Sequence, residues 1–116
     1  MKIVSLVLPL PLFQEFSYFV PSCLEGKVQV GSLVEVEFRK RHLIGLVRSF
    51  EEGNNPRELK PIDRVVPVSP WTERQMTFAE RLSQIYFSPL GEVAGLFFPP
   101  LLPSQWRFLE KRVFLA

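Results

Sequence analysis

Residues 32–38 read SLVEVEF and residues 42–50 read HLIGLVRSF, and these two neighbouring stretches decide the fold. The first alternates apolar and charged side chains, which is the pattern of a strand with one buried face. The residues on its apolar face are Val34, Val36 and Phe38. Because only a short basic connection separates the two stretches, the sequence predicts a β-hairpin. Gly45 indicates a bulge or a close backbone approach of the kind that bends a sheet towards a barrel.

Further strand patterns flank this hairpin. Residues 2–8 (KIVSLVL) are apolar on both faces, which predicts a buried first strand, and residues 16–21 (FSYFVP) predict a second strand that ends at its proline. For residues 25–31 the sequence predicts either a turn or a short strand. After a polar loop at 51–58, residues 59–66 (LKPIDRVV) predict a strand whose proline places it at a sheet edge.

The second half of the chain has helical signals. Thr72 and Gln75 form a capping box, which predicts a helix over about 73–87. Ser88 as N-cap and Pro89 at the first helical position predict a short second helix.

These elements predict a mainly β domain with α: a small open β-barrel of about five to six short antiparallel strands, followed by two helices. Strands this short must pair or cover their edges, which favours a barrel. We assign residues 1–103 to this domain and residues 104–116 to a linker or the start of a following domain.

Length and composition limit the class of protein. The chain has 116 residues, of which 47% are hydrophobic, so one globular domain is expected. With one cysteine, Cys23, and one histidine, His42, the sequence predicts neither a disulfide nor a zinc site. Since no stretch approaches the roughly 18 uninterrupted apolar residues of a membrane span, we expect a cytoplasmic protein without a membrane partner.

The chain is poor in residue patterns that carry catalysis. It lacks both glycine-rich phosphate-binding motifs and any signature of an activated nucleophile, so an enzyme is not expected. The net charge of +2 is too small for coating nucleic acid, but Arg39, Lys40 and Arg41 are consecutive. This run is either a solvated hairpin turn or a phosphate-binding loop.

The aromatic segment at 16–18 has two interpretations as well. Phe16 and Tyr18 lie on one face of their strand and Ser17 on the other. The two rings either fill the barrel interior or present one ring at its rim as a platform on which a base stacks. Lys60 is by default a surface lysine.

Taken together, these pieces resemble the N-terminal domain of the PriA family of helicases, which restart stalled replication forks. The similar pieces occur in the family's order: LPLPLFQEFSYFVP, GSLVEVEFRKR with IGLV, ELKPIDRVV, and YFSPLGEV. The resemblance covers residues 1 to about 98.

The resemblance implies a pocket for the 3′-terminal nucleotide of a nascent leading strand at a fork, largely independent of base identity. The residues that it implies for DNA binding are Phe16, Ser17, Tyr18, Arg39, Lys40, Arg41 and Lys60. Ser17 stands where some members have aspartate, and Arg39 where members often have glycine. An uncharged hydroxyl should weaken base contact, and the arginine either narrows the pocket or adds a phosphate contact.

The resemblance also implies what lies elsewhere. ATP and zinc belong to the helicase part of the family's chain, so we expect no cofactor in this segment and neither ATP hydrolysis nor unwinding. The implied partners are DNA with a free 3′ end and, as an alternative function, the tail of single-stranded-DNA-binding protein or another primosome protein. For that alternative we single out the helix face with Leu82 and Tyr86.

Overall fold

The computed structural model describes residues 2–52 and 59–98, and its elements follow the predicted order. Five strands come first: β1 (Lys2–Val7), β2 (Phe16–Phe19), β3 (Leu33–Phe38), β4 (Arg41–Glu52) and β5 (Arg64–Val65). Two helices follow: α1 (Glu73–Tyr86) and α2 (Leu90–Gly95). Residues 25–31 form turns after a single 3-10 turn at Ser22–Leu24. The assigned boundary at 103, the segment 104–116 and most of the loop 51–58 lie outside the described residues.

The five strands form one antiparallel sheet in the order β2-β1-β4-β3-β5. Its two ends approach each other through residues 60–62: the Phe19 amide donates to the Lys60 carbonyl at 3.1 Å, and the Ile62 amide donates to the Phe19 carbonyl at 3.0 Å. We call this contact the edge bridge. The next amide, that of Asp63, donates to the Glu35 carbonyl on β3 at 2.9 Å. The sheet is not closed, but it curls into the open, barrel-like form that the sequence predicts.

Both faces of the sheet are buried, which explains the apolar run of β1. Val4 and Leu6 point into the barrel interior, whereas Val7 points towards the helices. The interior cluster also contains Tyr18, Val20, Val34, Val36, Leu43, Val47 and Ile62. The cluster under the helices contains Leu33, Ile44, Leu46, Val66 and Ala94.

The long strand β4 contains the irregularity that the sequence placed near Gly45. The close approach lies there, because a Cβ on Gly45 would lie 2.9 Å from Leu8 Cδ2. The bulge lies three residues later, where the pairing of β4 with β1 skips Arg48. The bulged arginine reaches α1, and its guanidinium donates to Glu80 at 2.9 Å. The bulge thus re-aims a side chain that ties the sheet to the helix.

The helices confirm one capping prediction and correct the other. At α1 the Gln75 amide donates to Thr72 Oγ1 at 3.2 Å, and the Thr72 amide donates to Gln75 Oε1 at 2.8 Å, which is the predicted capping box. The N-cap of α2 is Pro89 and its first helical residue is Leu90, so the prediction of Ser88 as N-cap and Pro89 at the first helical position was wrong by one residue. The Ser88 hydroxyl instead turns back to the Tyr86 carbonyl at 3.4 Å. Within the described ranges no helix is both long enough and apolar enough to cross a membrane.

Candidate nucleic-acid interface

Tyr18 lies in the barrel interior and joins β2 to the end of β3. Its side chain is 4% exposed, and its hydroxyl donates to the Glu37 carbonyl at 2.7 Å. Burial raises the pKa of the Tyr18 phenol, and the negative charges of Asp63 and Glu37 raise it further. The phenol therefore stays protonated at neutral pH and keeps its role as a hydrogen-bond donor.

Phe16 lies on the same face of β2, closer to the rim. It is half-buried, and its ring packs edge-on against Phe38, with centroids 4.9 Å apart and an interplanar angle of 70°. The guanidinium carbon of Arg39 lies 5.2 Å from the Phe38 ring centroid, within the range of a cation–π contact. Two aromatic rings and one cation thus follow one another along the rim of the sheet.

The basic run forms the tip of the β3–β4 hairpin. Arg39 and Lys40 have φ angles of 49° and 66°, and Phe38 pairs with Arg41, which is the two-residue turn that normally selects asparagine and glycine. Neither residue has glycine's freedom at positive φ, so the turn holds two strained residues. Strain of this kind concentrates at functional sites. All three basic side chains of the run are exposed.

Lys60 reaches the same end of β3 from the edge bridge. Its Nζ lies 3.8 Å from Glu37 Oε1, and the two side chains are 53% and 45% exposed. An ion pair this exposed contributes little to stability. The lysine can therefore exchange Glu37 for a ligand anion at small cost.

Four of the seven predicted residues thus contact Glu37 or Phe38, two successive residues at the end of β3 whose side chains lie on opposite faces of the strand. We call this arrangement the hairpin site; the four are Phe16, Tyr18, Arg39 and Lys60. Lys40 and Arg41 are exposed at the adjoining turn. Ser17 is apart from the others, because it faces the opposite side of β2, where its hydroxyl donates to Glu51 Oε2 at 3.3 Å.

Sequence reasoning missed the residues that connect the hairpin site. Glu37 contacts both Tyr18 and Lys60, and Phe38 contacts both Phe16 and Arg39. Alternation identified the face of each residue, but it does not show which side chains of other strands meet that face. The one sequence feature that could have identified Glu37 and Phe38 is their position directly before the basic turn.

Two grooves lie along the helices, away from the hairpin site. One, of about 850 Å³, is lined by aromatic and basic side chains that include Trp71, Arg74, Phe78, Arg81 and Phe97. The other, of about 650 Å³, includes Leu82 and Tyr86, singled out from the sequence, together with Glu92 and Leu96.

A curled sheet with a basic, aromatic rim defines the class of small β-barrel-like binding modules. Comparison with known families narrows this class. A family model described as "3'DNA-binding domain (3'BD)" of PriA matches residues 5–99. The chain therefore belongs to the PriA 3′ DNA-binding domain family.

Individual relatives agree with this family. The chain is 30% identical to the Replication restart protein PriA of Rickettsia conorii over 100 residues, which make up 85% of this chain. The PriA protein of Rickettsia felis is 31% identical over the same length. That of Buchnera aphidicola is 27% identical over 116 residues, or 97% of this chain. The matches span only 15% to 16% of the length of these relatives.

Proposed function

We propose that this domain binds the 3′-terminal nucleotide of a DNA strand at a replication fork through the hairpin site, with little dependence on base identity. The observation that carries the proposal is that Phe16 and Arg39 contact Phe38, while Lys60 pairs with Glu37, the preceding residue of β3. Membership of the 3′ DNA-binding domain family supports it. In its cellular setting the domain would act in the cytoplasm on the nascent leading strand.

Each group has a separate role in this proposal. Lys60 and the turn residues Arg39 and Arg41 contact phosphates, while the half-buried ring of Phe16 offers its exposed part to the terminal base. The polar groups around Glu37 satisfy the free 3′ hydroxyl. A strand that continues past this point would clash, and a 3′ phosphate would bring a second charge next to the Glu37 carboxylate.

A comparison of two strand ends tests the proposal. We expect a fluorescein-labelled single strand with a free 3′ hydroxyl to bind more tightly, by fluorescence anisotropy, than the same strand with a 3′ phosphate. If three phosphates are contacted, the logarithm of the binding constant should fall with the logarithm of salt with a slope of about −2. Equal affinity for both ends would contradict recognition of the 3′ end.

The Lys60→Ala variant tests the site itself. We expect weaker binding to all four terminal bases alike, since the lysine contacts phosphate and not a base edge. Lys27→Ala is the matched control, because Lys27 is an exposed lysine in the turn after Ser22–Leu24. An unchanged affinity of Lys60→Ala, or an equal loss in Lys27→Ala, would remove Lys60 from the interface.

We also propose that the domain is a binding module that needs no ATP. The sequence lacks the G-x-x-x-x-G-K-[ST] phosphate loop. Purified domain should release no phosphate from ATP in the presence of forked DNA. Hydrolysis that persists through repeated purification would contradict this.

A second candidate function is docking of an acidic peptide, such as the tail of single-stranded-DNA-binding protein or a segment of another primosome protein. The groove lined by Arg74, Arg81 and the exposed ring of Phe78 suits an acidic peptide. The groove with Leu82 and Tyr86, the face singled out from the sequence, includes the carboxylate of Glu92 instead. Arg81→Glu should then abolish binding of the tail peptide while leaving oligonucleotide binding intact, with Lys27→Glu as the control. Peptide binding that survives Arg81→Glu would exclude this groove.

A further inference from the structure

A cluster of three possible metal ligands lies beside the hairpin site. Glu35 belongs to β3, His42 to β4, and Asp63 to the segment between the edge bridge and β5. One ligand atom from each lies within 4.8 Å of the other two. The residues are distant in sequence, and the curl of the sheet brings them together. We call this group the Glu35–His42–Asp63 cluster.

The imidazole occupies a position between the two carboxylates without hydrogen bonding to either. His42 Nδ1 lies 3.6 Å from Glu35 Oε1 and 3.4 Å from Asp63 Oδ2. Both distances exceed the roughly 2.7–3.2 Å of an N–H···O hydrogen bond. They match the separation of neighbouring ligand atoms around zinc, since tetrahedral bonds of about 2.1 Å place those atoms about 3.4 Å apart.

Glu35 is the fixed ligand of the cluster. Its side chain is 10% exposed, although it lies on the charged face of an alternating strand. Its Oε2 is enclosed, and Arg64 Nε lies 3.1 Å away as its ion-pair partner. The arginine holds that oxygen in place and leaves Oε1 directed towards His42.

The other side of the cluster is open to solvent. The side chains of His42 and Asp63 are 60% and 33% exposed. An ion can therefore enter without unfolding, and water can complete its coordination. The two carboxylates of the cluster and the guanidinium of Arg64 sum to one negative charge, which favours a cation.

We propose that the Glu35–His42–Asp63 cluster binds a divalent transition-metal ion, best Zn²⁺, through one imidazole nitrogen and two carboxylate oxygens. A nitrogen ligand favours zinc and its neighbours over magnesium or calcium, which prefer oxygen alone. The bound ion would clamp the segment before β5 to the β3–β4 hairpin. This site is independent of the function proposed above.

Isothermal titration with ZnCl₂ tests the site in the full chain, without an affinity tag and in a Cys23→Ser background that removes the exposed thiol. We expect one ion per chain. Both His42→Ala and Asp63→Asn should weaken binding by at least about tenfold, whereas Glu25→Gln, which removes an exposed carboxylate elsewhere, should not. Circular dichroism checks that each variant folds.

The imidazole gives a second, direct measurement. Because the chain has a single histidine, a long-range ¹H–¹⁵N spectrum contains one imidazole, and zinc should shift its Nδ1 resonance while leaving Nε2 less affected. Zinc that binds equally well to the His42→Ala variant would overturn the proposal. So would an Nδ1 resonance that does not move at saturating zinc.

Discussion

At the scale of single residues, Tyr18 connects the core to the candidate interface. Its ring fills the barrel interior, and its hydroxyl is bonded to the backbone of Glu37, whose side chain faces Lys60. The sequence left two interpretations open for the aromatic segment: core packing, or a ring presented at the rim. Each interpretation applies to one of its two rings. Tyr18 packs in the core, whereas Phe16 is the ring that reaches the rim.

Tyr18→Phe should lower the free energy of unfolding by about 1 kcal/mol at neutral pH, because it leaves the Glu37 carbonyl without its donor. Urea denaturation followed by circular dichroism measures this change. Since the ring remains in place, the loss is confined to this hydrogen bond. A stability equal to that of the native chain would show that the hydrogen bond contributes nothing.

The raised pKa of Tyr18 predicts a loss of stability in alkali. The folded chain holds the phenolic proton more tightly than the unfolded chain does. This contribution is complete below the ordinary tyrosine pKa of about 10, and it is lost as the pH rises through the raised value of the folded state. Denaturation midpoints measured from pH 8 to 11 should therefore fall less steeply for Tyr18→Phe than for the native chain. Parallel curves would contradict the assignment.

At the scale of elements, the β3–β4 hairpin combines a strained turn with the basic residues of the candidate interface. Asparagine and glycine would fit the backbone at 39 and 40 better than arginine and lysine do. The presence of two cations there, in spite of positive φ, favours a binding role for the turn over a purely structural one.

Lys40→Gly should raise the free energy of unfolding by about 1 kcal/mol, since glycine adopts the φ of 66° without strain. Lys40→Ala is the matched variant, because it removes the same charge and keeps the strained backbone. Thermal denaturation should separate the two, while their affinities for DNA should fall alike. Equal stabilities would show that the turn holds no strain at this residue.

The elements show where sequence reasoning is reliable. The capping box of α1 and the alternation of β3 depend on residues a few positions apart, so both were predictable. The bulge at Arg48 depends on a partner in α1, and the start of α2 depends on how the chain leaves α1. Contacts of this kind are not encoded in local spacing.

At the scale of the whole molecule, α2 packs closely against the chain at the end of β1 because Gly91 has no side chain. A Cβ on Gly91 would lie 1.7 Å from the Leu8 carbonyl oxygen. This contact is backbone against backbone, so no side chain can rotate away. The helix and the sheet can pack in this way only with glycine at position 91.

Gly91→Ala should therefore cost about 3 kcal/mol or more in the free energy of unfolding. Gly26→Ala is the control: it meets no atom within 4 Å but has a φ of 84°, so only backbone strain of about 1 kcal/mol is expected. Differential scanning calorimetry compares the two. A Gly91 variant no less stable than the Gly26 variant would contradict the close packing of α2.

The candidate interface was only partly predictable from the sequence, because it also depends on contacts between residues that are far apart in the chain. The aromatic and basic candidates could be chosen by their chemistry, and the family resemblance assigned them to DNA binding. The separation of Ser17 from Phe16 and Tyr18 follows from alternation alone. The meeting of Glu35, His42 and Asp63 does not, because it requires the curl of the sheet that places β4 and the segment before β5 on either side of β3.

The edge bridge gives the molecule a place where it can open without unfolding. Two backbone hydrogen bonds, at Phe19 and Ile62, join residues 60–62 to β2, whereas β1 pairs with β2 and β4, and β3 with β4, through four to six residues each. If both hydrogen bonds break together, residues 60–62 move away from β2, and Lys60 moves with them. The amides of Phe19 and Ile62 should then exchange with deuterium at similar rates, and a bound oligonucleotide should lower both rates.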